Sequence, residues 1–309
     1  MAVLVTIGIT CYNAEDTILR AIVSATKQDW AEKEIIIVDD NSTDGSVKKI
    51  KQLIADHQSI KLIESKRNDG AAKSRNKIIK QAKGEYIIFF DDDDQSLPNR
   101  VKTQLNKIET SNAEQDVFCY ASGKRIYPNG YSMELRAIGA DGKNIPGLQV
   151  VNFLLLGEKS KKYFFGTGTP ACSLMCKTQL LRKLNGFNPK LRRVEDIELA
   201  IRAGLENVTF LGTSESLFIQ YASTGNDKSA LKNYRSEMLV VKLFANYLNS
   251  LNRLHFTSRW TKLRYLHFSR DHINFACSFL LLLLRFPILT IKKAWVSFPR
   301  RWAHERKIK

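Results

Sequence analysis

The stretch from Gly84 to Asp94 constrains this chain most: Gly-Glu-Tyr-Ile-Ile-Phe-Phe followed by four aspartates. Tyr86 to Phe90 runs without a polar break, which predicts a central strand buried on both faces rather than a half-exposed one. The strand delivers Asp91, Asp92, Asp93 and Asp94 together. Adjacent carboxylates raise one another's pKa unless a positive charge sits among them. Hard oxygen donors in a row suit Mg²⁺ or Mn²⁺. In an open α/β sheet the ligand crevice lies outside the carboxyl ends of the strands, so the cluster falls where a site is expected. The competing reading is a solvated acidic turn with an aspartate capping the helix that starts near Pro98.

The residues before this strand repeat one pattern. Val3 to Thr10, Glu34 to Val38 and Ile60 to Glu64 read as strands. Glu15 to Lys27, Ser46 to about Ala55 and Ala71 to Ala82 have helical spacing. Four strands alternating with helices predict an α/β fold with a Rossmann-like, mostly parallel nucleotide-binding sheet. No Gly-x-Gly-x-x-Gly follows the first strand and no Gly-Lys-Ser/Thr loop is present, which disfavours a dinucleotide fold and a P-loop ATPase.

The second half is mixed. Val117 to Ile126 and Tyr131 to Ile138 flank Pro128-Asn129-Gly130, a hairpin signal. A short helix is expected near Leu148 to Leu156. Ala171 to Cys176 reads as a strand, Thr178 to Leu184 as a short helix, and Val194-Glu195-Asp196 opens another helix running to Ala203.

The ordered motifs resemble those of family 2 glycosyltransferases with a GT-A fold, of the kind that builds bacterial lipopolysaccharide, capsule or other surface glycans. They are Thr10-Cys11-Tyr12-Asn13, Val38-Asp39-Asp40-Asn41-Ser42-Thr43-Asp44-Gly45, Asn68-Asp69-Gly70 with Arg75-Asn76, Gly84-Glu85-Tyr86 leading to Asp91-Asp92-Asp93, and Gly186-Phe187 followed by Glu195-Asp196. The resemblance covers roughly residues 3 to 220. It implies transfer of one sugar from a nucleotide-sugar, with UDP as the nucleotide, to a hydroxyl of a glycan or lipid-linked acceptor. A divalent metal, Mn²⁺ or Mg²⁺, is the direct way to hold the charge that develops on the leaving diphosphate.

Residue by residue, the resemblance places Asp91 and Asp93 on the metal, Asp92 near the ribose, and Asp94 as an extension of the motif that caps the next helix. It gives Asp40 the uracil N–H to accept, Tyr12 and Thr10 the base, and Arg75 the diphosphate or base. Lys73 is a weaker candidate. Asp196 is the general base, set on the face opposite the leaving group so that attack inverts the anomeric carbon; Glu195 orients the acceptor and Gly166 to Thr169 borders its pocket. Each has an ordinary alternative: a turn aspartate held by amides for Asp40, packing for Tyr12, a solvated helix arginine for Arg75, and N-terminal helix charge for Asp196.

Two departures stand out. The family often carries a histidine after the last catalytic-domain strand; here Tyr221 to Asp227 has none, leaving Asn226, Asp227 or water to substitute. The Gln-x-x-Arg-Trp of processive members is also missing, since Phe256 precedes Arg259-Trp260 where the glutamine would be. Single-sugar transfer is therefore expected.

Charge divides the chain. The formal net charge is +17, yet the first hundred residues sum to about −1, whereas the chain from Leu251 onward carries about +11. Expected organisation is a catalytic domain over 1–225 and a helical basic and apolar extension over 226–309, beginning with a helix from Lys228 to Leu251. Phe275 to Leu284 is apolar but too short to span a bilayer, which takes about twenty residues. With basic flanks and Trp260, Trp295 and Trp302 interspersed, it suits the surface of an anionic membrane. The alternative is packing of the run on the catalytic domain. Interleaving of the basic residues with leucines disfavours nucleic acid as a partner. Five scattered cysteines without zinc spacing fit a reducing compartment, and the N-terminus shows no secretory leader pattern. The expected location is cytoplasmic, peripheral on the inner face of a bacterial membrane. An inactive transferase-like scaffold and a polyanion-binding protein remain the alternatives in other functional classes.

Overall fold

The computed structural model of the chain describes residues 3–55, 59–113, 116–222, 229–295 and 297. Its first half alternates as the sequence predicts: β1 (Val5–Cys11), α1 (Ile18–Thr26), β2 (Lys33–Asp39), α2 (Ser46–Ile54), β3 (Ile60–Glu64), α3 (Ala71–Gln81) and β4 (Tyr86–Asp91). These strands are parallel in the order β3-β2-β1-β4. The register pairs Thr10 with both Val38 and Asp91, so the motif-bearing ends of β1, β2 and β4 finish at one level.

Strand β4 is buried on both sides, as its unbroken apolar run requires. Ile87 and Phe89 join the core layer under α3, whereas Ile88 and Phe90 join the opposite layer with Ile18 and Ile22 of α1. Alternate side chains of one strand thus serve two cores, and polar residues are admitted only at the strand's end.

The elements that follow are β5 (Gln95–Ser96), α4 (Arg100–Glu109), β6 (Val117–Ile126), β7 (Ser132–Leu135), α5 (Gly147–Leu156), a 3₁₀ turn (Ala171–Ser173), β8 (Leu174–Lys177), α6 (Thr178–Lys183), α7 (Glu195–Leu205) and β9 (Thr209–Tyr221). They extend the sheet as β4-β8-β6-β9-β5, with mixed directions. The hairpin forms with Ile126 opposite Ser132, and Gly130 takes the left-handed conformation of its turn at φ 79°. Helices α5 and α7 cross so closely that a Cβ on Gly147 would lie 2.4 Å from the Gly204 carbonyl oxygen; no larger residue fits there.

Three expectations need correction. The segment from Ala171 opens as a 3₁₀ turn, and only Leu174–Lys177 is strand. Asp94 does not cap a helix: α4 has Asn99 at its N-cap, and Asp94 is buried beside Asp91. The helix expected from Lys228 breaks at Phe244 into α8 (Ala230–Leu243) and α9 (Ala245–Ser250); Lys228 itself lies outside the described residues. Helices α8 and α9 share a core with α5 and α7 through Val151, Ile201, Val241, Phe244 and Leu248. The core under α5 and α7 therefore continues past residue 225.

Helices α10 (Leu254–Phe268) and α11 (His272–Arg285) follow, and residues 287–295 are helical. Phe256, Trp260, Leu263 and Leu282 form a separate core joined by Phe275, Phe279, Phe286 and Leu289. Trp260 is thus a packing residue rather than a surface one. Trp302 and the basic residues beyond 297 lie outside the described residues. No helix among those described is long and apolar enough to cross a membrane.

One buried side chain ties β4 to the rest. Arg100, 1% exposed, donates to the carbonyl oxygens of Phe89 and Cys172, to Ser96 Oγ and to Gln104 Oε1. Replacing it with methionine strands those acceptors without water. Arg100→Met is expected to lose about 3 kcal/mol of folding stability, measured by urea denaturation.

Candidate active site

A cleft of about 1520 Å³ opens at the carboxyl ends of β1, β2 and β4. It is lined by Thr10, Tyr12, Asp40, Arg75, Asp91, Asp92, Asp93, Glu195 and Asp196. These nine residues, singled out from the sequence for donor, metal, base or acceptor, therefore face one space.

The floor is built by loops that lock one another. Asn13, at φ 49°, donates its amide to Ser42 Oγ at 2.9 Å, and its side-chain oxygen accepts from the Thr43 amide at 2.8 Å. Asp44 accepts from the amides of Glu15 and Ser46, and Glu15 accepts from the Gly45 amide. Much of the Asp39-to-Gly45 motif thus shapes the loop. Tyr12 is held from its backbone, whose amide donates to Asp92 Oδ2 at 2.9 Å, and its ring is 49% exposed.

Asp40 is mostly engaged within the protein. Its Oδ1 accepts from the Asp69 amide at 3.0 Å and Ser74 Oγ at 3.1 Å, and its Oδ2 from the Gly70 amide at 2.6 Å. Gly70 has φ 90°, and a Cβ there would meet Arg192 at 2.8 Å, so the turn needs glycine. A carboxylate offers roughly four acceptor directions, so three contacts leave about one on Oδ2, and Asp40 lines the cleft.

Arg75 is not a solvated helix arginine. It is buried on α3 and bridges Asp91 Oδ1 at 3.2 Å and Glu195 Oε1 at 2.7 Å. Burial alone would lower its pKa, but Asp91 and Glu195 outweigh that and hold the guanidinium firmly charged. The next residue, Asn76, exchanges two hydrogen bonds with the backbone of Phe187, and Phe187 packs edge-on against Phe89. The Arg75-Asn76 and Gly186-Phe187 motifs are therefore halves of one clamp between α3 and the segment leading into α7. Lys73 instead pairs with Asp69 at 2.9 Å.

The four aspartates differ. The carboxylates of Asp91 and Asp94 lie within 4.8 Å of each other and of the Cys172 sulfur. Burial holds the Cys172 thiol well above its usual pKa, so it is a neutral neighbour rather than a donor for a hard cation. Asp94 Oδ1 has no hydrogen-bond partner, and burial, then Asp91 and Asp93, push its pKa to about 8. Burial likewise raises Asp92 to about 8, against the pull of the Tyr12 amide. An orphaned buried carboxylate oxygen next to Asp91 fits a divalent cation coordinated by oxygen. Asp93 lines the same cleft, and Arg20 donates to its backbone carbonyl while stacking over Tyr221 at 4.0 Å. Neither Arg20 nor Asp94 was expected in these roles, because nothing local in the sequence marks a distant arginine or the last of four aspartates.

At the other wall, Val194 precedes α7 at φ 58°, a strained conformation for a β-branched residue. It turns Glu195 to Arg75 and sets Asp196 in the cleft, with Asp196 Oδ1 accepting from the Ile197 amide at 2.8 Å. Burial, with Glu195 adding, raises the Asp196 pKa to about 6, against the Ile197 amide and Arg75. Asn226 and Asp227 lie outside the described residues.

Comparison with known proteins agrees with this geometry. Residues 6–174, over half of the chain, match the sequence profile of Glycosyl transferase family 2. EpsE of Bacillus subtilis (strain 168), whose name describes a glycosyltransferase, is 31% identical over 67% of this chain and 69% of its own length. WfaP of Escherichia coli, a UDP-Glc:alpha-D-GlcNAc-diphosphoundecaprenol beta-1,3-glucosyltransferase, is 38% identical over 38% of this chain and 45% of WfaP. The structure of S. aureus TarS 1-349 in complex with UDP-GlcNAc aligns with a TM-score of 0.62 at 21% identity, over 87% of this chain and 74% of that one. The mannosyltransferase PcManGT of Pyrobaculum calidifontis, in complex with GDP-Man and Mn²⁺, aligns at 0.59 and 15% identity, over 99% and 84%. The likeness to these structures shows the GT-A fold, and the matched profile together with EpsE shows that the chain belongs to glycosyl transferase family 2.

Proposed function

We propose that this chain is an inverting, metal-dependent transferase that moves one sugar from a UDP-sugar to a hydroxyl of a glycan or lipid-linked acceptor in surface-polysaccharide synthesis. The observation that carries the reading is the Arg75 bridge, which joins the aspartate end of β4 to the Glu195-Asp196 start of α7 across one cleft. UDP rather than another nucleotide draws on the UDP-sugar enzymes among the relatives and neighbours.

In this reading Tyr12 offers its ring and Asp40 its remaining Oδ2 direction to the base, with Thr10 beside them. Asp91 and Asp93 would hold a divalent Mn²⁺ or Mg²⁺ ion, with Asp94 beside Asp91, and Asp92 fixes the loop beside the ribose. When bound, the cation neutralises charge that develops on the leaving diphosphate. Asp196 takes the proton from the attacking acceptor hydroxyl, and attack opposite the leaving group inverts the anomeric carbon. A base with a pKa near 6 is largely ionised at neutral pH and close enough to it to accept a proton. Glu195, committed to Arg75, keeps Asp196 in place beside the acceptor. Without the Gln-x-x-Arg-Trp of processive enzymes, transfer stops after one sugar.

The C-terminal helices extend the reading to a surface. Cys277, Leu280, Leu281 and Leu284 line one exposed face of α11, and Ile288, Ile291 and Trp295 continue the row, with Leu284 82% exposed. The opposite face packs on α10. Among the described residues, this packing on α10 supports a reading in which the apolar row is free to meet a surface. Arg259, Lys262, Arg270, Arg285 and Lys292 are exposed on the same helical segment, and an apolar row with basic residues around it in sequence suits an anionic bilayer surface; this reading sets the enzyme on the cytoplasmic face.

Calorimetry of UDP with Mn²⁺ tests the donor site. Binding is expected in the wild type and a loss of at least about tenfold in Asp93→Ala; no metal-dependent UDP binding by folded protein removes the reading. Asp196→Asn is expected to lower kcat by about 10² to 10⁴ with UDP affinity kept, and wild-type kcat/KM to fall as Asp196 is protonated below pH about 6. Leu281→Glu with Leu284→Glu is expected to abolish co-sedimentation with phosphatidylglycerol vesicles; unchanged sedimentation of this variant contradicts the surface assignment.

A further inference from the structure

We propose that the cationic lip of the cleft, formed by the loop before α7 and the start of α8, is a second anion site that takes the diphosphate of a lipid-linked acceptor. This rests on the transferase reading above and names the acceptor class for that site. Lys190 and Arg193 come from the loop, and Lys232 and Arg235 from α8, and all four line the cleft. Arg193 Nε donates to Asn233 Oδ1 at 3.0 Å, so a neutral amide tethers loop to helix and leaves the guanidinium charge uncompensated. Lys190 and Arg235 are exposed and have no side-chain hydrogen bond or ion pair among the described residues. Three positively charged groups line one cleft without carboxylate partners among the described residues, an arrangement that favours an anion there.

Position selects which anion. The donor diphosphate belongs at the β4 aspartates, where the cation would neutralise it. Arg193 is three residues before Asp196, on the base side of the cleft, where the acceptor hydroxyl must stand. Helix α8 then packs on α10. Tyr234 stacks on Tyr265 of α10 at 4.8 Å, and Glu237 accepts from Arg264 at 3.2 Å. Helix α10 in turn packs on α11, whose other face is the exposed apolar row. One connected set of helices thus presents cations to the cleft and an apolar row to the exterior. A phosphate-linked lipid satisfies both ends at once: its chain stays in the bilayer, its diphosphate meets Lys190, Arg193 and Arg235, and its sugar reaches Asp196. A neutral glycolipid would leave the cations unanswered.

The test uses full-length protein saturated with UDP and Mn²⁺, so that the donor site is filled, and titrates farnesyl diphosphate, farnesol and inorganic pyrophosphate. Farnesyl diphosphate is expected to bind without displacing UDP, at least about tenfold tighter than farnesol, with an affinity that falls as salt rises. The double variant Lys190→Glu, Arg235→Glu is expected to lose that affinity by at least about tenfold while UDP affinity is kept; Lys190→Gln, Arg235→Gln is expected to show a smaller loss. Displacement of UDP, equal binding of farnesol, or unchanged binding by the charge-reversal variant overturns the proposal. So does loss of UDP affinity in that variant, which would assign the cations to the donor. Tighter binding of pyrophosphate than of farnesyl diphosphate would leave no role for the lipid chain and also overturns it. If the wild type binds farnesyl diphosphate but not UDP, the anion site stands and the transferase reading falls.

Discussion

The site depends on one buried charge. Arg75 leaves water on α3 and recovers that cost only because Asp91 and Glu195 both reach it. Those two carboxylates are 104 residues apart in the chain, and they come from the two halves of the fold. The guanidinium is therefore the bond between the cleft wall built on parallel strands and the wall built on α7. It also suppresses the repulsion that Asp91, Asp92, Asp93 and Asp94 would otherwise share with Glu195 and Asp196. The left-handed Val194 costs about 1–3 kcal/mol and is tolerated because Glu195 is fixed on one side and the α7 core on the other.

The parallel half was legible because each of its strands is buried by both layers and so appears as a continuous apolar run. Tyr86 to Phe90 is the clearest case: the run predicts double-sided burial, and Phe89 and Phe90 enter different cores. Strand β9 was not legible, although it is 13 residues long. Its Thr213, Ser214, Glu215 and Ser216 interrupt any alternation, and what makes it a strand is pairing with β6, which is not local. The short β5 was missed for the same reason, since two residues gain their strand character only from Ile219 and Phe218 opposite.

Within the site, residue types were legible and bonding was not. The aspartates, Arg75 and the Glu195-Asp196 pair could be gathered from motifs, and the cleft brings them together. That Arg75 is an internal bridge, that Asp40 accepts from the Asp69 and Gly70 amides and from Ser74, and that Asp94 is buried with an unpartnered oxygen beside Asp91 all depend on partners distant in sequence. The C-terminal helices teach a similar lesson. Composition announced an apolar run with basic flanks, but only the packing on α10 shows which face of α11 is turned outward and that Trp260 belongs to the inner one.

In the proposed mechanism one cleft holds the leaving diphosphate on its β4 wall and the proton acceptor on its α7 wall, with the sugar between them. The stereochemistry of the released sugar tests this most directly and needs no knowledge of the acceptor. UDP-glucose, UDP-GlcNAc and UDP-galactose, all α-linked, would be incubated with enzyme and Mn²⁺, and the anomer formed by slow attack of water followed by proton NMR before mutarotation. Early appearance of the β-anomer from the accepted donor is the predicted result. Early appearance of the α-anomer would mean attack from the side of the leaving group and would contradict the assignment of Asp196.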